Sequence, residues 1–525
     1  MGKQLSVEQC FFFSIQARLR KTTRIICIIR RKNKKKVVFR EEVEKNILCF
    51  REKSAVYISV FRDIIKKNME KRGMYMVFKR KVYDKLLEWK KLSSGASAVL
   101  LEGARRIGKS TIVEEFAKNE YDDYMILDFA RENKDVRNNF IENMDDLDSF
   151  FRNLFLLKGK SLNGKNCVII FDEVQLFPYA RQAIKYLVAD GRYEYIETGS
   201  LISIRKNVKD LLIPSEEYRI KMYPMDFEEY LWALNDNVTI PAITEAFRKR
   251  RALGDAVHRK IMKTFRTYMA VGGMPQAVDA LVSGKTFTQI DFVKRNILSL
   301  YEEDLAKYDN ENREKASVIY KTLPEQLENK NSHFKFSLLD KNARYQNYVD
   351  AVSFIAESMI GNECINVTKP EVALELFADR SNFKLYMGDT GLLVTQIMKN
   401  REDSDEDLYK SLIVGNLGIN QGMILENMVA QMLRASGHGL YFHEYLYRPE
   451  GTSRDKKYEI DFMTVKKKKI CPIEVKSSGY TSHKSFDYLI QKYQLKMEDR
   501  YIIYTKDLKY QDGILYLPIY MTMLI

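Results

Sequence analysis

Five short strand-like runs, three of them apolar throughout, organise the chain between residues 98 and 222. They are Ala98-Val99-Leu100-Leu101, Tyr124-Met125-Ile126-Leu127, Cys167-Val168-Ile169-Ile170-Phe171, Tyr193-Glu194-Tyr195-Ile196-Glu197 and Tyr218-Arg219-Ile220-Lys221-Met222. Runs of this length read as strands of a buried parallel sheet. The stretches between them carry helical spacing, as in Thr111-Ile112-Val113-Glu114-Glu115-Phe116. Alternating strands and helices predict a doubly wound α/β sheet of five strands, with a ligand at the C-terminal strand edge. From 236 to 300 the pattern is helical and charged, broken at Gly272-Gly273-Met274-Pro275. Residues 301–395 read as strand, helix, strand at Lys335–Leu339, Tyr348–Met359 and Cys364–Val367, followed by Phe383–Met387 and Asp389-Thr390-Gly391-Leu392-Leu393. Nearer the C-terminus, Gly422 to Val429 sits on an amphipathic helix. Tyr458 to Val465 alternates like a strand, Lys466 to Lys469 is a four-residue polar turn, and Ile470 to Lys476 is the returning strand.

The chemistry starts where the first run ends. Gly103-Ala104-Arg105-Arg106-Ile107-Gly108-Lys109-Ser110 fits GxxxxGK[ST], and Thr111 opens the following helix. Strand, glycine-rich loop and helix together form a phosphate cradle. Backbone N–H groups and the helix N-terminus face the anion. Lys109 can bridge β- and γ-phosphates, and the Ser110 hydroxyl can ligate Mg²⁺. The third run ends in Asp172-Glu173, which suits Mg²⁺ held by Asp172 and a water activated by Glu173. The fourth ends at Thr198-Gly199-Ser200, where Thr198 or Ser200 can contact the γ-phosphate. Arg105, Arg106 and Arg219 are the candidates for stabilising transition-state charge.

A hairpin with a four-residue loop pairs Val465 with Ile470 and so sets Asp461 opposite Glu474. Facing carboxylates repel unless a cation lies between them, and carboxylate oxygens suit Mg²⁺ or Mn²⁺. Lys476, two residues on, projects from the same face as Glu474. A cross-strand pair of Lys476 with Glu459 on a solvated sheet is the plainer alternative.

At these residues the chain resembles known groups. The cradle, Asp172-Glu173 and Thr198-Gly199-Ser200 look like the AAA-type ATPases. Glu102 to Ser110, Ile196 to Leu201 and Met222-Tyr223-Pro224-Met225-Asp226-Phe227-Glu228-Glu229-Tyr230 are similar to archaeal and bacterial ATP-binding proteins ending in an uncharacterised nuclease-like domain. Glu426, Asp461, Glu474 and Lys476 match the order Glu, Asp, Glu-x-Lys of the PD-(D/E)XK nucleases. The resemblance implies an α/β protein with a five-stranded P-loop ATPase core over 76–235 and a helical lid over 236–300. It further implies a winged-helix-like connector over 301–395 and a restriction-endonuclease-like α/β domain over 396–525. The expected activity is Mg²⁺-dependent ATP hydrolysis coupled to the nuclease-like domain. A non-hydrolytic switch, or a binding module with an inactive nuclease-like domain, is the alternative. ATP and Mg²⁺ are the expected cofactors, with Glu426, Asp461 and Glu474 holding a second divalent ion. DNA and a regulatory protein are the open partners.

Composition bounds the rest. A chain of 525 residues with 45% hydrophobic content predicts about three domains. No apolar run reaches the roughly 18 residues of a membrane span. Six scattered cysteines without a CxxC pair argue for a reducing cytoplasm and against zinc. The net charge of +15 is concentrated at the start: residues 1–73 hold 20 Lys and Arg against 7 Asp and Glu, a surplus of 13. That stretch reads either as a basic arm for nucleic acid or as translated upstream sequence before a start at Met74 or Met76.

Overall fold

Every residue of strand β1 (Ala98–Glu102) is buried, which is why the sequence there shows no alternation. The computed structural model describes residues 77–525 except 94, 200–215, 310–313, 329–332, 399–404, 416–420, 481–482, 496 and 498. The basic stretch over 1–75 and Ser200 lie outside the described residues. β1 belongs to a sheet with β2 (Asp123–Asp128), β3 (Cys167–Asp172), β4 (Glu194–Gly199) and β5 (Glu217–Lys221). The order is β2-β3-β4-β1-β5 and every pairing is parallel. Helices α1 (Lys81–Ser93), α2 (Lys109–Glu120), α3 (Lys134–Glu142), α4 (Leu147–Lys158) and α5 (Pro178–Asp190) surround it. One face carries Leu100, Ile169 and Phe171 against Phe140, Phe150 and Ile184; the other carries Val99, Leu101 and Ile170 against Ile112 and Phe116. Both faces are covered, as a parallel sheet requires.

The chain then turns helical: α6 (Phe227–Ala233), α7 (Thr239–Lys249), α8 (Asp255–Val271), α9 (Pro275–Val282), α10 (Phe287–Asp309) and α11 (Lys315–Glu328). The strand expected at Lys335–Leu339 is instead a 3₁₀ turn over Phe336–Leu338. The cause is local: Gln326 binds both the N–H (2.9 Å) and the carbonyl (2.8 Å) of Lys335, removing them from strand pairing. α12 (Val349–Glu357) follows, then β6 (Gly361–Val367) and β7 (Ala378–Met387), α13 (Thr390–Met398), α14 (Asp405–Val414) and α15 (Gln421–Ala435).

A second, mixed sheet of eight strands adds β8 (Tyr441–Tyr447), β9 (Lys456–Lys466), β10 (Lys469–Val475), β11 (Arg500–Tyr504), β12 (Lys509–Gln511) and β13 (Ile514–Pro518) in the order β12-β13-β11-β10-β9-β8-β6-β7. β6 and β7 lie within the stretch expected to be a winged-helix-like connector, yet they pair into this sheet. α16 (Lys484–Tyr493) packs Phe486 and Leu489 on one face against Ile460, Ile470 and Ile502. α15 packs on the other, where Phe462, Cys471 and Ile473 join one apolar core running back through helices α6 to α11 to Ile112 and Val99.

The β9–β10 hairpin pairs Val465 with Ile470 and Phe462 with Ile473. Its loop is tighter than the four residues expected. Lys466 also pairs with Lys469, leaving a two-residue turn of Lys467 (φ 49°) and Lys468 (φ 59°). Two positive φ values suit the right-handed twist of the flanking strands.

Candidate functional site

The loop between β1 and α2 wraps a space in front of the helix N-terminus. Gly103 opens it: a Cβ there would lie 2.5 Å from the Met222 carbonyl oxygen, so only glycine fits. Arg106 (φ 69°) and Gly108 (φ 93°) adopt left-handed backbone, turning the chain sharply into α2. The Lys109 ammonium is buried and donates to the carbonyls of Gly103 (2.9 Å) and Ala104 (3.0 Å). Burial lowers its pKa to about 8, against the upward pull of Glu173 and Asp172.

Parallel register places the remaining groups. Leu101 pairs with Thr198, and β4 lies between β1 and β3. Ser110 Oγ donates to Asp172 Oδ1 at 2.8 Å, and the Thr198 hydroxyl donates to the same oxygen. Burial raises the Asp172 pKa while these two hydroxyls oppose the rise. Glu173 occupies left-handed backbone (φ 54°), directly after the strand, and its N–H faces Thr198 Oγ1 at 3.4 Å. A cavity of about 550 Å³ opens beside Ser110 and Asp172, with Asp128, Arg131 and Asn133 on its wall. An oxygen-only set of a hydroxyl beside a carboxylate fits Mg²⁺.

Distant segments hold the loop in place. Arg80, which sequence reasoning missed, is buried and donates to the carbonyls of Ile107 (2.9 Å) and Tyr223 (2.7 Å), with Glu229 at 3.1 Å. Glu229 also completes a capping box with Asp226 at the start of α6, which gives the Pro224-x-x-Phe227-x-Glu229 segment its role. Arg105 is drawn to Asp304 of α10 (3.0 Å), and the Tyr301 hydroxyl donates to the Arg105 carbonyl (2.8 Å). Arg219 pairs with Glu217 (2.8 Å) and approaches Glu102 (3.7 Å). Two of the three arginines considered for charge stabilisation are thus engaged with carboxylates. Arg106 is exposed.

The Gly272-Gly273 break lies against the cradle: the ring of Pro275 would stand 3.7 Å from a Cβ on Gly108. The Asp389 carboxylate, buried after β7, accepts from the Gly273 N–H at 2.6 Å and from Leu392 N–H at 3.0 Å. The Asp389-Thr390-Gly391 element therefore ties this turn to the start of α13.

A second cavity of about 350 Å³ lies at the head of the eight-stranded sheet. Glu426 of α15, Glu459 and Asp461 of β9, Lys384 and Tyr386 of β7, and Lys476 line it. Lys384 Nζ lies 3.1 Å from Glu426 and 2.5 Å from Glu459, and the Tyr386 hydroxyl donates to Glu426 at 2.5 Å. Burial alone would lower the Lys384 pKa, but Glu426, Glu459 and Asp461 drive it well above the ordinary value. Burial raises Glu459 and Asp461, each reinforced by carboxylates nearby.

The expected convergence of Glu426, Asp461 and Glu474 is not formed. β9 carries one extra residue between the pairs His443–Ile460 and Tyr441–Met463, a bulge that breaks the alternation around Asp461. Asp461 then faces α15, and its Oδ2 accepts from the Val475 N–H at 2.7 Å. Glu474 lies between Ile473 and Val475 and turns to α16, where the Ser485 hydroxyl donates to it; its other oxygen pairs with Lys476 at 2.6 Å. Burial raises Glu474 to about 7, against Lys476. Among the described residues no three His, Cys, Asp or Glu side chains gather around a point that could hold a metal ion. As placed, these side chains do not show the second divalent site expected of Glu426, Asp461 and Glu474. The alternative Lys476–Glu459 pair is not made either: Glu459 goes to Lys384. Lys384 and Tyr386 were visible as polar residues alternating with Phe383, Leu385 and Met387, but nothing local linked them to Glu426.

Three family models match the chain: an AAA domain over residues 96–231, and two domains of unknown function, DUF8612 over 262–403 and DUF4143 over 421–521. No curated protein matches it. Among solved structures, the chain is similar to the Walker-type ATPase PABY2304 of Pyrococcus abyssi at 15% identity, covering 61% of this chain and 96% of that one, with a TM-score of 0.33. It is also similar to the protein VC1899 from Vibrio cholerae at 11% identity, covering 76% and 94%, with a TM-score of 0.17. The AAA match falls on the five-stranded sheet and its cradle, and it supports reading that part of the chain as a P-loop ATPase domain. No helix among the described residues is long and apolar enough to cross a membrane.

Proposed function

We propose that this protein binds and hydrolyses ATP with Mg²⁺ and that the nucleotide state acts on its C-terminal half through the lid helices. The observation that carries the reading is the cluster of Lys109, Ser110, Asp172, Glu173 and Thr198 at one strand edge. In this reading Gly103, Ala104, Arg105, Arg106, Ile107, Gly108 and Thr111 supply the cradle. Lys109 leaves the Gly103 and Ala104 carbonyls for the β- and γ-phosphate oxygens. Ser110 and Asp172 would hold Mg²⁺, which neutralises phosphate charge when bound. Glu173 takes the proton of the attacking water, and Thr198, with Ser200 beyond it, senses the γ-phosphate. The test is ATP turnover by the full-length protein with and without DNA. Lys109→Ala should lower it by at least about a hundredfold, the scale of losing one preorganised electrostatic contact. Unchanged turnover in that variant would refute the reading.

For the C-terminal half, Glu426, Asp461 and Lys476 on one cavity wall support a nuclease-like module with DNA as a substrate. The ion pairs of Lys384 with Glu426 and Glu459, and of Lys476 with Glu474, favour the second reading. In that reading the domain serves as a binding module without metal-dependent cleavage. Incubating the protein with single- or double-stranded DNA and Mg²⁺ or Mn²⁺ separates them, since Asp461-dependent cleavage would establish the first.

A further inference from the structure

The cavity at the head of the eight-stranded sheet is built from two separately matched segments. Lys384 and Tyr386 come from β7, whereas Glu426, Glu459 and Asp461 come from α15 and β9. β7 is locked to α15 beside the site: the Met387 N–H donates to Asn427 Oδ1 at 2.7 Å, one residue from Glu426. The Lys384 stem is buried and its ammonium stands over the Phe442 ring at 5.2 Å from the centroid. From there it reaches Glu426 at 3.1 Å and Glu459 at 2.5 Å. An ammonium has three donors and no lone pair, so it can bridge carboxylates but cannot share them with a metal as a fellow ligand. A divalent ion on Glu426 would lie within ion-pair distance of that charge and be repelled by it.

We propose that Lys384 is the resident cation of this cavity, bridging Glu426 and Glu459 in place of a divalent ion, and that removing it frees the Glu426, Glu459 and Asp461 side chains to close on Mn²⁺. The inference rests on reading the C-terminal half as a module that works without metal. It gives β7 a purpose beyond extending the sheet: the strand delivers a charge that α15 and β9 need and cannot supply themselves. Without Lys384, Glu426 of α15 and Glu459 and Asp461 of β9 would repel one another across the cavity, and hard oxygen ligands then favour Mn²⁺.

The experiment titrates Mn²⁺ into the nucleotide-free full-length protein and reads free Mn²⁺ by electron paramagnetic resonance. Wild type, Asp461→Asn, Lys384→Met and the double variant are compared. Wild type and Asp461→Asn should bind alike. Lys384→Met should gain one additional Mn²⁺ more than roughly tenfold tighter than any wild-type counterpart, and the double variant should lose it. Lys384→Met should also melt lower than wild type without Mn²⁺ and recover with it, because an ion bound only to the folded state stabilises that state. Lys384→Gln replaces Lys384→Met if the latter does not fold. A Mn²⁺ equivalent in wild type that Asp461→Asn abolishes would overturn the proposal. So would a folded Lys384 variant that gains none. Asp461-dependent Mn²⁺ binding in wild type without DNA cleavage would end the resident-cation idea and leave the binding-module reading in place. The ATPase reading is decided separately by the Lys109 variant.

Discussion

Lys109 is buried, and among the described residues its ammonium donates to the backbone carbonyls of Gly103 and Ala104. Its pKa, lowered to about 8 by desolvation, sets a sign that can be measured. Between about pH 8 and the ordinary lysine value near 10.4, the folded chain without nucleotide binds fewer protons than the unfolded chain. Its contribution to stability therefore improves as pH rises through that window. Phosphate oxygens reverse the shift by favouring the ammonium. At pH 9, nucleotide binding should take up a fraction of a proton, seen in calorimetry as a binding enthalpy that varies with the ionisation enthalpy of the buffer. Lys109→Met should abolish the dependence. A buffer-independent enthalpy in the wild type would show that Lys109 keeps its charge throughout.

At the scale of elements, the Gly272-Gly273 turn is bonded to the segment before α6 and to the segment after β7, and Pro275 beside it abuts the cradle. Gly273 N–H donates to Asp389, its carbonyl accepts from the Met225 N–H at 2.7 Å, and its Cα packs on the Met225 backbone. A Cβ on Gly273 would collide with the Met225 carbonyl oxygen and lie 2.8 Å from its nitrogen. Backbone cannot step aside as a flexible side chain can. Gly273→Ala should cost about 2 kcal/mol or more of stability, the scale of overpacking a close-packed site, measured by urea unfolding. Because Pro275 abuts Gly108, the same substitution should weaken nucleotide binding. A neutral effect on both would mean that the turn is only a helix break. This element was legible as punctuation, since Gly-Gly and Pro end helices anywhere. Its partner Asp389 lies more than a hundred residues away, and no local pattern joins the two.

Over the whole molecule, the junction of α7 and α8 is fastened to the C-terminal segment of the chain. Arg250 pairs with Asp499 at 2.9 Å, His258 Nδ1 lies 2.9 Å from the Tyr520 hydroxyl, and the Gly254 N–H donates to Asp507 at 2.7 Å. The eight-stranded sheet in turn needs β6 and β7, which precede the boundary at 396 drawn from the sequence. A fragment of residues 396–525 would expose the edge of β8 that pairs with β6 and leave Glu426 and Glu459 without Lys384. Open edges and unpaired buried charges are both destabilising. That fragment should therefore show no cooperative melt and should aggregate, whereas residues 77–525 should melt cooperatively by circular dichroism. A cooperative transition in the short fragment would show that β6 and β7 are dispensable.

The sequence by itself determined the centre of the five-stranded parallel core, because the buried strands β1 and β3 leave unbroken apolar runs and a phosphate loop needs Gly103, Gly108, Lys109 and Ser110 within a few consecutive positions. It also determined the Val465–Ile470 register, since a tight hairpin fixes pairing through neighbours in the chain. Shortening the loop from four residues to two left the pairing unchanged. What it left open is long-range. The bulge in β9 that turns Asp461 away from Glu474 depends on packing against β8 and α15. The 3₁₀ turn at Phe336 depends on a side chain nine residues earlier capturing both polar groups of Lys335. The charge on Lys384 answers carboxylates 42 and 75 positions further along the chain. Local periodicity records which face of an element is buried. Only tertiary structure decides which charges meet across elements, because burial makes those meetings strong while chain distance hides them.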